Sequence, residues 1–166
     1  MAFQQTVNVL LNLGVPGDIL LDEPSRIEVV TLAAAGALGQ FFTKANGTDL
    51  ASPGGTITAG SIVFGGIGVL SKDEPLFGSA AATPLNPNEN IPANAQMALL
   101  SFGSCVVYIP NAWAVGDYLQ YNTTTGVIST YSPSGSPSGG NAQIPNAVMT
   151  RFGSAAAGLG IARLTN

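Results

Sequence analysis

Charge is what this sequence has least of. Only 8% of its 166 residues are Asp, Glu, Lys or Arg, against roughly a quarter in an ordinary globular protein. Histidine is absent and cysteine occurs once, at Cys105. Histidine is the usual group for proton transfer near neutral pH, so its absence removes the commonest acid–base catalyst. A nucleophilic cysteine needs a base and a lowered pKa, and with no histidine Cys105 reads as a buried, inert thiol. One cysteine also rules out a disulfide framework within the chain, and a reducing compartment is the simplest expectation. No run reaches the roughly 18 to 20 apolar residues of a membrane helix. The longest apolar stretches, residues 61–70 and 95–109, are broken by Gly or Ser.

Basic clusters are lacking too. The net charge is −4, and the cations Arg26, Lys44, Lys72, Arg151 and Arg163 are scattered. Neutralising phosphates takes clustered Lys and Arg, so no nucleic-acid partner is expected. Residues 1–5 contain no basic stretch and the first cation is Arg26, so no secretory signal is expected. The acidic pairs Asp22-Glu23 and Asp73-Glu74 sit beside Pro. They are too sparse for the six to eight oxygens of a calcium site and read as solvated turns. Gly65-Gly66-Ile67-Gly68 lacks the Lys and the strand–loop–helix setting of a phosphate loop. Glu28, Glu89 and Asp117 are the remaining acids from which a hydrolase pair would have to come, and nothing around them supports one. No catalytic, cofactor-binding or metal-binding residue is assigned.

What is there is apolar and rich in turns. Hydrophobic residues make up 46% of the chain, with 21 Gly and 11 Pro. Mean hydropathy is +0.34. With no membrane span, that hydrophobicity must be buried in a core or in a permanent interface. Residues 1–26 read as an extended arm: Val7-Asn8-Val9-Leu10 alternates, and Gly14, Pro16-Gly17 and Pro24 prevent a continuous helix. Residues 27–166 read as a single β-rich domain.

Within it, residues 27–31 and 40–43 are short strand-like runs. The alanines of 31–38 predict one helical turn between them. Residues 45–60 are turn-rich, and Asn46-Gly47 supplies the positive φ of a tight hairpin. Residues 61–70 predict a strand whose glycines at 65, 66 and 68 signal close backbone approach. Residues 71–92 are a long connection with four prolines. Residues 95–109 are the strongest strand signal. Strict alternation puts Met97, Leu99, Cys105, Val107 and Ile109 on one face and Ala98, Leu100, Phe102, Val106 and Tyr108 on the other, with Gly103 bending the strand.

Residues 118–122 and 127–131 flank Thr123-Thr124-Thr125-Gly126 as a hairpin. Residues 132–141 are a flexible low-complexity loop. Residues 147–152 and 159–164 are closing strands. Ile109-Pro110-Asn111-Ala112 recurs as Ile144-Pro145-Asn146-Ala147, which reads as two Pro-Asn turns leading into strands and not as a repeat architecture. The expected fold is all-β: a compact barrel or sandwich with an extended N-terminal arm and long Gly/Pro-rich loops.

Three places resemble the structural cement, or capsid decoration, proteins of tailed bacteriophages. The first is Met1-Ala2-Phe3-Gln4-Gln5-Thr6-Val7-Asn8 followed by Gly14-Val15-Pro16-Gly17-Asp18. The second is the Gly103 strand with Val115-Gly116-Asp117-Tyr118 and the Thr125-Gly126 hairpin. The third is Ile144-Pro145-Asn146-Ala147 with the final strand at 159–164. Residues 71–92 depart from the family pattern. The resemblance implies a non-enzymatic β-rich clamp on the outer surface of the phage head. It would bind the major capsid protein at coat-subunit junctions and act as a homo-oligomer, a homotrimer in preference to a dimer. It would be made in the host cytoplasm and carried on the virion, with no cofactor and no nucleic-acid or membrane partner. The residues expected at its interfaces are Phe3, Val7, Val9, Leu10, Leu11 and Leu13 of the arm, which would otherwise be exposed, together with Tyr108 and Trp113. Trp113 is equally suited to capping the core. The alternative from another class is a virion adhesin or head-fibre module binding host glycan, for which Tyr118, Tyr121, Asn122 and Tyr131 would be the recognition cluster.

Overall fold

A computed structural model describes residues 14–20, 23–44, 47–57, 64–69 and 90–165. Among them are eleven strands and no helix: β1 (Arg26–Leu32), β2 (Gly36–Ala37), β3 (Phe41–Lys44), β4 (Leu50–Pro53), β5 (Phe64–Val69), β6 (Asn90–Ile91), β7 (Gln96–Ile109), β8 (Tyr118–Asn122), β9 (Ile128–Tyr131), β10 (Asn141–Arg151) and β11 (Gly158–Leu164). Nine of them form one sheet in the order β1-β4-β3-β5-β7-β11-β10-β8-β9. A further pairing of β1 with β7 closes the first five into a small barrel. The β1–β4 contact is parallel and the others are antiparallel. The long strand β7 serves both halves. Its first half completes the barrel, and its second half pairs with β11 and starts the second sheet.

Side-chain alternation decides what fills the barrel. Val30 and Leu32 of β1, Phe42 of β3, Ala51 of β4, and Met97 and Leu99 of β7 form one buried cluster inside it, with Ile91 packed at its side. So narrow a bore has no room for side chains from every strand. β5 contributes glycine instead: a Cβ on Gly68 would stand 2.7 Å from Met97 Sδ and 2.9 Å from the Phe42 ring. The glycines read as marking close approach do mark it.

The larger core lies between the outer wall of the barrel and the second sheet. Phe41, Ile67, Val69, Ala98 and Leu100 supply the barrel side. Cys105, Val107, Ile109, Leu119, Tyr121, Ile128, Ile144, Met149 and Leu164 are among the sheet's contributions. The β8–β9 hairpin is fastened across this seam. Phe41 N–H donates to Gly126 O (2.8 Å) and Gly55 N–H to Thr123 O (2.7 Å). The Phe41 and Tyr121 rings pack with centroids 4.3 Å apart. Burying one such ring contributes about 1.5–3 kcal/mol, so Phe41 is a principal tie between the two halves.

Several expectations are corrected. The alanines at 33–35 form no helical turn. They are exposed in a bend between β1 and β2, because the short run contains Gly36, whose own backbone pairs with Ile91. The turn-rich stretch 45–60 holds a strand, β4, ending at Pro53.

The two predicted faces of β7 swap partway. Ala98 and Leu100 share a core with Cys105, Val107 and Ile109, while Met97 and Leu99 face the barrel interior. Gly103 causes this. Its φ of +117° breaks the alternation, and Ser25 lies against it, 3.0 Å from where a Cβ would be. The second Pro-Asn motif is no turn before a strand. β10 already runs from Asn141, and Asn146 sits in it with φ +52° where the pairing register shifts. Residues 132–141, expected as a flexible loop, are fastened by Ser138 N–H to Gln120 Oε1 (3.0 Å) and by Asn141 Nδ2 to Ser138 Oγ (2.7 Å), and Asn141 already belongs to β10.

Candidate functional site

Among the described residues, the few chemically able side chains hold the fold together. Cys105 is fully buried, and burial pushes its thiol up to about 12, so the reactive thiolate is suppressed. Among the described residues, no three His, Cys, Asp or Glu side chains gather as a metal site would require. Glu23, expected in a solvated turn, is instead largely shielded. Its carboxylate accepts a hydrogen bond from Ser104 Oγ (2.7 Å), and Arg163 Nε lies at 3.4 Å and Arg151 Nη2 at 4.0 Å. That cluster fixes the approach to β1 against the second sheet. Lys44 sits between Glu28 and Asp49 at one end of the barrel. Hydrogen bonds to Glu28 and then Asp49 raise its pKa, so it stays charged there.

The two Gly-Asp motifs turn out to be one device used twice. Val15 N–H donates to Asp18 Oδ2 (2.9 Å), and Ala114 N–H donates to Asp117 Oδ2 (2.8 Å). Each turn then clips onto one strand residue through two backbone bonds. Gly17 N–H donates to Val106 O and Val106 N–H to Asp18 O; Gly116 N–H donates to Met149 O and Met149 N–H to Asp117 O, all at 2.8–2.9 Å. Gly17 and Gly116 have φ of +92° and +93°, a conformation that costs any other residue a steric penalty. The first clip, extended by Leu20 N–H to Ser104 O (2.9 Å), lays residues 17–20 along β7. That much of the expected arm therefore packs on its own chain.

The residues expected at interfaces fall into three groups. Phe3, Val7, Val9, Leu10, Leu11 and Leu13 lie outside the described residues. Tyr108 is 50% exposed on β7. Trp113 is only 6% exposed. Its indole Nε1 donates to Phe152 O (2.9 Å), and Gly160 leaves space for its ring. It closes one end of the larger core, one of the two roles open to it. Of the tyrosines suited to glycan recognition, Tyr121 is fully buried; the Tyr118 and Tyr131 rings meet at a tilt, with centroids 5.7 Å apart.

The exposed apolar side chains that matter most were not singled out from sequence. Ile27 (43%), Val29 (56%) and Leu50 (47%) stand on the outer wall of the barrel, on the neighbouring strands β1 and β4. In Arg26-Ile27-Glu28-Val29-Val30 both faces carry an aliphatic residue, so the outward face shows only once β7 and β4 are in place. Among the described residues the charged side chains are used internally, the thiol is buried, and the outer wall of the barrel is apolar.

A family model described as structural cement protein matches residues 3–165. Among solved structures, a chain of the capsid of Myoviridae phage XM1 is similar over 99% of this chain and 98% of its own, with a TM-score of 0.60 and 14% identity; at that identity the likeness speaks for the fold. The head fibre gp8.5 N base of bacteriophage phi29 covers 86% of this chain and 95% of its own at 6% identity. Its TM-score of 0.43 is too low to support an argument. No curated protein matches.

Proposed function

The chain belongs to the family of phage structural cement proteins, and from that premise we propose that it binds the outer surface of an assembled phage head and stabilises the junctions between coat subunits. Its partners are the major capsid protein and further copies of itself, grouped as trimers in preference to dimers. Residues 1–13 reach from each subunit to a neighbour. The protein is made in the host cytoplasm, ends on the virion and catalyses nothing.

The family match along nearly the whole chain carries this reading. The physics agrees. A stabilising clamp needs a stiff body and an adhesive surface. The barrel and second sheet share one continuous core, and the outer wall presents Ile27, Val29 and Leu50. The exposed side chains Tyr108 and Val115 enlarge the apolar surface available to a partner.

Co-sedimentation with purified heads tests the reading. Saturable binding at a fixed ratio to the coat protein is expected, and the ratio reports the oligomer. Absence of binding to mature heads, with binding to a glycan array instead, would overturn it in favour of an adhesin.

A further inference from the structure

Among the described residues, β4 closes the barrel against β1 at one end only. β4 pairs with β1 at Thr31 and Leu32 alone. Thr31 N–H donates to Asp49 O and Ala33 N–H to Ala51 O, both at 2.8 Å, whereas Leu32 N–H turns the other way, to Ala95 O. Backbone groups alternate along a strand. Those of Ile27 and Val29 therefore point to the β4 side, while Glu28 and Val30 use theirs in the ladder with β7. Opposite Ile27 and Val29, no strand among the described residues stands. Two N–H and two C=O groups face outward there, flanked by the exposed side chains of Ile27 and Val29 and, at the end of β4, Leu50. Behind this edge Lys44 of β3 is ion-paired to Glu28 and Asp49, which closes the barrel mouth without filling the strand position. An unpaired, β-branched edge is a template for an added strand.

We propose that this open edge of β1, residues 26–30, is the docking site for residues 1–13 of a neighbouring copy of this chain, added as a strand. The proposal rests on the reading that the arm engages a neighbour, and names where it lands. The segment has the pattern such a site takes. Phe3, Val7, Val9, Leu11 and Leu13 alternate with Gln4, Thr6, Asn8 and Asn12, with Gln5 and Leu10 out of step, and no side chain in the segment is charged. One face packs on Ile27, Val29 and Leu50; the backbone supplies the bonds.

Gly17 is bonded at Val106 of β7 and lies against Gly68 and Val69 of β5. β5 and β1 flank β7 on opposite sides at Ala98 and Leu99, so the segment's own β1 lies across β7 from its anchor. Thirteen extended residues reach about 43–47 Å, enough to pass to a neighbouring copy.

Four full-length variants and a truncation test this on heads and in solution. Val29→Pro removes one outward N–H and leaves the β7 ladder intact, since proline is tolerated where the N–H faces away from the sheet. It is expected to melt close to wild type by circular dichroism and to bind heads at least tenfold more weakly, matching deletion of residues 1–13. Should Val29→Pro fail to fold, the disulfide test stands alone. Val9→Cys chains mixed with Val29→Cys chains are expected to form a disulfide between copies under mild oxidation, with Cys105 buried and inert. If deletion weakens binding but Val29→Pro does not and no disulfide forms, the edge is not the site and the arm engages the coat protein. If deletion changes nothing, the arm reading falls and this inference with it. A disulfide forming within single chains that carry both cysteines, at high dilution, would show docking in the same subunit and overturn the proposal.

Discussion

At the scale of single residues, the charged side chains among the described residues are used within the structure itself. Glu23, Arg163 and Ser104 fasten the approach to β1; Lys44, Glu28 and Asp49 close the barrel mouth. Cys105 shows the cost of burying an ionisable group. Its folded pKa is about 12, against 9.0 for an ordinary thiol. Below about pH 9 the thiol is protonated whether the chain is folded or not, and adds no pH dependence. Above that, the unfolded chain releases the proton and the folded chain keeps it. Stability should therefore fall as pH rises from 9 towards 12, by up to about 1.4 kcal/mol per pH unit. Urea midpoints measured between about pH 9 and 11 should fall less steeply in Cys105→Ala than in the parent chain. Equal slopes would contradict the burial argument.

At the scale of elements, steric fit between β5 and β7 sets the width of the barrel. A Cβ on Gly66 would stand 2.9 Å from Leu100 O and 3.0 Å from Leu99 Cβ. Gly66→Ala should cost about 1–3 kcal/mol, because a backbone carbonyl cannot turn aside as a side chain can. Gly139→Ala, with nothing within 4 Å, should stay within about 0.5 kcal/mol of wild type. Paired denaturant titrations would check both, and an equal loss at the two sites would contradict the packing argument. The same elements show what sequence can reveal. β5, β7 and the β8–β9 hairpin were legible because β-branched runs, interior glycines and a Thr-Gly turn each have a local cause. β4 was not: four residues ending in Pro53 become a strand only because β1 and β3 flank them. The faces of β7 were misassigned because one positive φ, at Gly103, reverses every side chain beyond it. The alanines at 33–35 were read by helix propensity, which tertiary context overrode. The candidate site was legible only in part. Gly17-Asp18 and Gly116-Asp117 are residue pairs suited to turns, but their identical clipping to Val106 and Met149 depends on strands far away in sequence. The exposed edge at Ile27 and Val29 follows from where β4 stops, which no local pattern states.

At the scale of the whole molecule, the parts serve stiffness. A barrel too narrow for side chains from every strand is welded through Phe41, Gly126 and Thr123 to a second sheet, and β7 runs through both. Such a body passes force from one face to another with little give, because packed interiors are nearly incompressible. In the role proposed above, at the junctions between coat subunits, it should then act mechanically, by sharing load between them. Heat-induced DNA release from purified heads, followed with an intercalating dye, tests this most directly. Heads lacking the protein should release DNA at a lower temperature than decorated heads, and adding the purified protein back should restore the difference. Equal release temperatures for bare and fully decorated heads would contradict the account.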